Sequence, residues 1–414
     1  MSDLRKTLGV TRGTALMLNI VMGAGLLTLP GLALRQAGEQ AIWIWLGCAL
    51  AAAPLLAVFA MIGRRFPDAG GIPAFAGNQF GRTGYTAGTF LFLGAVTLGL
   101  PAVAITGGYY AATIINLSPY VLGAGLVMLA TLVNFLSAEL AGRVNSVIAS
   151  ALIFVLVVIV VLGGYAVAGG VPSPTLQSTP LNIDTETCAA VFMMIFFAFT
   201  GWEVAAHLSE EFRNPQRDLP LAMALSFLIA LCFYLALAQI VAMSGLSASY
   251  EAPFVAILSA SYGSWAGVAM AVTATVMIFA NLSAAIWAVS RMVFSCARQG
   301  LLPSTLAITS AGTPARAVMA VLVAMLAAIG LASQGILPLD TLLEYAGQNF
   351  LVLYGIGAVA LFVASDQKRI KAVSGIAILV VLTILAMRDA WAMLYPVALV
   401  LAAYALDRAV KSRV

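Results

Sequence analysis

Long apolar runs separated by short polar stretches repeat along the whole chain. They fall at 13–36, 41–63, 84–115, 121–140, 144–168, 187–208, 219–245, 262–297, 315–334, 341–364, 373–387 and 391–406. Most approach or exceed the roughly 20 residues that a helix needs to cross a hydrocarbon core about 30 Å thick. The pattern predicts an all-α integral membrane protein with about 12 transmembrane helices. Only the split of the last block at "MRDAW" (387–391) is weakly marked. The first run is too long for a secretory leader, ends in Pro30 and lacks a small-residue cleavage site, so it reads as a span.

Composition agrees with this reading. Only 9% of the 414 residues are charged and 62% are hydrophobic, against roughly a quarter charged in a soluble domain. Threading twelve spans from a cytoplasmic N-terminus leaves 18 of the 20 Lys and Arg inside and two, Arg35 and Arg388, outside. That asymmetry is the positive-inside rule, and it puts both termini in the cytoplasm. The net charge of +4 is spread over short loops. It builds no basic face, which excludes a nucleic-acid partner.

Several chemistries are also excluded. The four cysteines, Cys48, Cys188, Cys232 and Cys296, stand singly in or beside apolar runs, so neither a disulfide framework nor a metal site is expected. No GxxxxGK[ST] run, HExxH or GxSxG occurs. Transport driven by ATP hydrolysis within the chain is thereby set aside, as are a catalytic residue set and any bound cofactor. An ion channel would need a ring of selectivity groups, and no filter-like motif is present.

A weak internal repeat organises the runs. "NIVMGAGLLTLP" (19–30) interrupts the first span at Gly23 and Gly25, and "FAFTGWE" (197–203) interrupts the sixth at Gly201, 178 residues after Gly23. "PAFAGNQFG" begins at Pro73 and "PFVAILSASYG" at Pro253, 180 residues apart. Two matched offsets suggest a five-helix unit used twice, and the odd number of spans turns the second copy upside down. The expected division is 1–170 for the first inverted repeat, 171–366 for the second, and 367–414 for two further helices and a cytoplasmic C-terminus.

Glycine-interrupted helices at matching places in two halves point to a transporter's binding site. A helix broken in mid-membrane exposes N–H groups at one new end and C=O groups at the other, tolerated only where they line a cavity or meet a ligand. The N–H end favours a carboxylate and the C=O end a cation. Two antiparallel breaks side by side therefore suit a zwitterion such as an amino acid.

Four motifs carry a family resemblance: "NIVMGAGLLTLPGLA", "GRRFPDAGGIPAFAGNQFG", "FFAFTGWEVAAHLSEEFRNPQRDLPLA" and "SRMVFSCARQGLLPS". In this order and topology the chain resembles the amino acid–polyamine–organocation (APC) transporters over residues 10 to about 305. Within them it is most similar to bacterial exporters of methionine and branched-chain amino acids. The resemblance implies two inverted five-helix repeats plus two trailing helices, with helices 1 and 6 broken, in a bacterial inner membrane. It implies that the N–H groups of Ala24 and Gly25 receive the substrate carboxylate, with Gly23 beside them in the substrate site. The carbonyls of Val21, Phe197 and Thr200, beside Gly201, would receive its ammonium. Trp202, Asn281, Trp287 and Tyr345 are candidates for side-chain selectivity. Many relatives carry Ser where this chain has Ala24, so carboxylate binding rests on the backbone. No lysine, arginine or aspartate lies mid-span in these segments, which points to an apolar substrate.

Glu203 and the chain's one histidine, His207, follow the second break. An intramembrane carboxylate is by default a functional candidate, and residues four apart share a helix face. Either could couple the site to a proton, or Glu203 could hold the unwound backbone. The fifth run, "SVIASALIFVLVVIVVLGGYAVA", lacks the lysine that several relatives use in place of sodium. The expected function is export of neutral apolar amino acids (leucine, isoleucine, valine, methionine), driven by protons, with import or exchange as the alternative. Oligomeric state is open.

Overall fold

The computed structural model describes residues 8–22, 24–65, 71–136, 138–169, 184–203, 212–246, 248–309 and 313–411; the side chains at 19, 20, 24, 65, 136, 138–152 and 409–411 fall outside that description. The described chain is almost entirely helical. Its β-type contacts are isolated bridges, and the one between two described residues joins Leu8 and Phe212 in parallel. We number the α-helices α1 Val10–Val21, α2 Leu29–Ala37, α3 Ala41–Arg65, α4 Gly71–Ala112, α5 Pro119–Leu136, α6 Ala138–Ala168, α7 Thr185–Phe196, α8 Pro215–Met243, α9 Pro253–Tyr262, α10 Ser264–Arg298, α11 Ala315–Ser333, α12 Leu339–Ala364, α13 Lys368–Ala386 and α14 Leu394–Lys411.

Seven helical stretches among the described residues are long and apolar enough to cross a membrane: Leu29–Arg64, Gly71–Ala112, Pro215–Met243, Ser264–Arg298, Ala315–Ser333, Leu339–Ala364 and Lys368–Ala386. Shorter apolar helices accompany them. The outer surface is that of a protein dissolved in lipid: Trp43, Leu50, Phe154, Trp265, Leu379 and Leu401 are all largely exposed. A soluble protein rarely leaves so much apolar surface uncovered. The weakly marked "MRDAW" region is a turn, because α13 ends at Ala386 and α14 begins at Leu394.

α4 and α12 pack closely over most of their length, and α12 also lies against α7 and α13. Gly347 sets the α12–α7 approach, since a Cβ there would stand 2.0 Å from the Met193 carbonyl oxygen. α8 closes the other flank against α1 and α3. Two helical stretches bend sharply at glycine. Gly81, inside α4, has φ 68 and ψ −163. Gly263, between α9 and α10, has φ 87 and ψ 170. Both conformations are ones that side-chain-bearing L-residues avoid. Each glycine joins a short helix starting near a proline, Pro73 or Pro253, to a long one.

Candidate functional site: two interrupted helices around a cavity

The first interruption follows α1. After Val21 the cap residue Met22 leaves helical geometry at ψ 64, its N–H still reaching the Leu18 carbonyl at 2.8 Å. A 3-10 turn covers Ala24–Leu27, and α2 starts at Leu29. The second interruption follows α7. A 3-10 turn covers Phe197–Phe199, Thr200 is extended, and Gly201 takes φ 99. Only glycine accepts that φ without strain.

Three buried tyrosines from three different helices serve the polar groups that these breaks release. Tyr110 of α4 donates to the Leu27 carbonyl at 2.9 Å. Tyr234 of α8 donates to the Ala198 carbonyl at 2.7 Å and lies 3.4 Å from the Val21 carbonyl, so it ties both breaks together. Tyr354 of α12 donates to the Glu203 carboxylate, and its oxygen lies 3.3 Å from the Gly201 nitrogen. Glu203 itself is buried and accepts from the Gly201 N–H at 2.9 Å. The carboxylate folds back on the unwound segment, which is the scaffold arrangement weighed in the sequence. None of these tyrosines was singled out there. The signal was available, because a tyrosine hydroxyl in an apolar span needs a partner.

Between the breaks lies a cavity of about 280 Å³. Val21, Gly25, Phe197, Thr200, Gly201, Glu203 and Asn281 all line it, as do Phe92, Val96, Leu100, Val103, Val289 and Phe350. Seven of the residues expected at the site are thus brought together. The Asn281 amide makes no hydrogen bond to a described residue and faces this space. The Phe197 carbonyl is less free than expected, because it already accepts from both the Thr200 N–H (3.2 Å) and the Thr200 hydroxyl (2.7 Å). A carbonyl has two lone pairs, so Val21 and Thr200 keep more capacity for a ligand.

Three expected pocket residues lie elsewhere. Trp202 is buried against Phe227, ring centroids 5.8 Å apart. Trp287 is 40% exposed on the outer face of α10, with the Arg291 guanidinium 3.8 Å from its ring centroid. Tyr345 stacks on Tyr395 at 6.4 Å. Trp202 stands in the turn after Gly201; Trp287 and Tyr345 stand on helix faces turned away from the cavity, a distinction that spacing without a known helix rotation does not make. The Ala24 backbone lies in the first 3-10 turn. Gly23 and His207 lie outside the described residues.

A helical bundle with two interrupted spans facing a small cavity defines a membrane transporter. The amino acid permease family model matches residues 8–405, and the chain belongs to that family, within the APC superfamily. It is 27% identical to an uncharacterized amino acid permease of Bacillus subtilis, YecA, over 98% of this chain and 96% of the relative. It is 30% identical to the L-methionine/branched-chain amino acid exporter YjeH of Escherichia coli, covering 86% of this chain and 85% of the relative. A cadaverine/lysine antiporter of Escherichia coli is 26% identical over 84% of this chain and 78% of the relative. The protein is an amino acid transporter and not an enzyme.

Proposed function

We propose that the protein exports neutral apolar amino acids, with leucine, isoleucine, valine and methionine as the substrate class, by alternating access. The observation that carries this reading is the cavity itself: two interrupted helices meet over a mostly apolar wall rich in Phe, Val and Leu. A zwitterionic head suits the freed backbone groups, the N–H end around Ala24 and Gly25 for the carboxylate and the Val21 and Thr200 carbonyls for the ammonium. Among the described residues Glu203 is the one carboxylate on the wall, and the Gly201 N–H and the Tyr354 hydroxyl both donate to its Oε2, which ties it to the unwound backbone. That argues against a lysine- or cadaverine-like substrate. The name of the Escherichia coli exporter supports the same class and the outward direction.

The fuller architecture belongs to this proposal. Twelve spans would arise as two inverted repeats, 1–170 and 171–366, followed by 367–414, in a bacterial inner membrane with both termini cytoplasmic. The equivalent glycine bends at Gly81 and Gly263, each after a short helix, support the repeat. A proton is the proposed coupling ion, with Glu203 and His207 as the groups that would carry or sense it. No bound cofactor is needed.

Flux in sealed proteoliposomes tests the reading. Labelled leucine or methionine loaded inside is expected to move in response to an imposed pH gradient, and other apolar amino acids to compete. Movement only when amino acid is present on the opposite side would replace export with exchange. Preferential competition by lysine or cadaverine would overturn the substrate class.

A further inference from the structure

Arg35 and Arg388 are the two basic residues that the topology leaves on the outer face. In the structure each is the hub of a separate two-carboxylate cluster. Arg35, near the end of α2, pairs with Glu251 at 2.5 Å and Asp340 at 3.1 Å. Arg388, in the turn between α13 and α14, pairs with Glu186 at 2.7 Å and with Glu344. Asp340 and Glu344 are four residues apart on α12, one turn of the same helix. Both arginines are therefore anchored on the first turns of α12.

What they fasten is equally specific. α2 is the half of the first interrupted helix beyond its break, and α7 is the half of the second before its break. Both stand between the cavity and the face that bears the arginines. Glu186, in the first turn of α7, uses both oxygens, one for Arg388 Nη1 and one for the Asp389 N–H at 2.7 Å. Gln348 of α12 accepts from Arg388 Nε at 3.4 Å and donates to the Ala392 carbonyl at 2.8 Å. On the other side Gln36 donates to Asp340 at 2.7 Å, and the Thr28 hydroxyl to the Glu251 carbonyl at 2.5 Å. The Arg388 side chain is 2% exposed, far from the solvated surface pairs that contribute little.

We infer that Arg388, together with Arg35, forms a double clasp that keeps the outer halves of both interrupted helices on α12, so that the last helix pair, α13–α14, is part of the outer gate. This rests on the transporter reading and on the outward orientation of this face. Each arginine separates two carboxylates. Removing it leaves Glu186 facing Glu344, or Glu251 facing Asp340, and like charges at close range repel. Removing one carboxylate instead leaves a matched pair, so the arginine variants should open this face further than the carboxylate variants. A tie that served folding alone would loosen the protein without favouring labelling from one face.

Thiol labelling tests the clasp. With Cys48, Cys188, Cys232 and Cys296 changed to alanine, Val103→Cys places one thiol on the cavity wall. A membrane-impermeant maleimide is added to the arginine-bearing face of oriented vesicles. The parent should label slowly. Arg388→Gln and Arg35→Gln should each raise the rate about tenfold, a factor that corresponds to a modest shift in a two-state equilibrium. Glu344→Gln and Glu186→Gln should raise it less, and Glu344→Gln added to Arg388→Gln should bring the rate back down. Rapid labelling of the parent from this face, unchanged rates in both arginine variants, or equal increases from both faces would overturn the clasp. If an arginine variant does not fold, the two glutamate variants carry the test, and rates equal to the parent's in both would overturn it. Labelling requires no flux, so a failure of the proposed transport would appear separately.

Discussion

The hydroxyl of Tyr354 and the backbone N–H of Gly201 meet on the same carboxylate, that of Glu203. The contact joins α12 to the unwound segment of the second interrupted helix. A carboxylate buried within a membrane-spanning bundle is costly unless it is hydrogen-bonded, and here a single oxygen, Oε2, takes one donor from the break and one from its neighbour helix. Tyr354→Phe removes that neighbour's donor while keeping the ring that packs at 4.6 Å against Phe59. Deleting one partner of a buried polar group costs about 1–3 kcal/mol. The variant should show a lower Tm in detergent and slower flux, with unchanged substrate ranking. A Tm and flux equal to the parent's would mean that the bond does not hold the break.

Glu203→Gln asks a different question of the same contact. Glutamine keeps an acceptor for the Gly201 N–H but does not titrate. If Glu203 carries or senses the coupling proton, flux measured across about pH 5 to 8, the window around the operating pH in which an effective proton-transfer group titrates, should flatten in this variant. A pH profile that keeps the parent's shape would assign Glu203 to scaffolding.

Gly201 itself makes a prediction about backbone. Its φ of 99 is closed to side-chain-bearing residues at a cost of about 1–3 kcal/mol. Gly201→Ala should lower Tm and flux together. Adding an alanine at Gly25 differs, because a Cβ there would sit 3.5 Å from the Phe197 ring, an ordinary contact. Gly25→Ala should therefore fold normally, whereas Gly25→Leu should fold and lose flux, its side chain entering the cavity. Normal flux in Gly25→Leu would remove this cavity as the substrate path.

Much of this was legible in the sequence for physical reasons. Lipid forces every backbone group into internal hydrogen bonds, so the apolar runs had to be helices. The glycines at 25 and 201 could be read as breaks because glycine-interrupted spans recur at matched offsets in the two halves of the chain. What could not be read was helix rotation. Asn281 faces the cavity while Trp287, six residues on in the same helix, faces outward, and near-uniform hydrophobicity leaves no polar stripe to say which face is which. The tyrosines were missed for a related reason: their partners, Leu27, Ala198 and Glu203, lie 83, 36 and 151 residues away. The charge count, by contrast, isolated Arg35 and Arg388 without any hint that each would meet two carboxylates.

The position of Phe197 offers a handle on selectivity. Its ring lies against Gly99 of α4, where an added Cβ would come within 2.6 Å of a ring carbon and 3.4 Å of Ala346. The obstacle is the far edge of a side chain, so the ring can turn aside instead of the helices parting. The space it turns into is the cavity, which Phe197 already lines beside Gly25. Gly99→Ala should therefore leave Tm nearly unchanged and shrink the volume open to substrate. One methylene of lost room is worth about 1–3 kcal/mol between substrates. Competition of labelled leucine efflux by alanine, valine, leucine and methionine would show the order moving toward the smaller side chains, by roughly tenfold or more for alanine relative to methionine. An unchanged order with normal flux would mean that the substrate side chain does not rest on Phe197, and that the selectivity wall lies toward Val96, Leu100 and Val289.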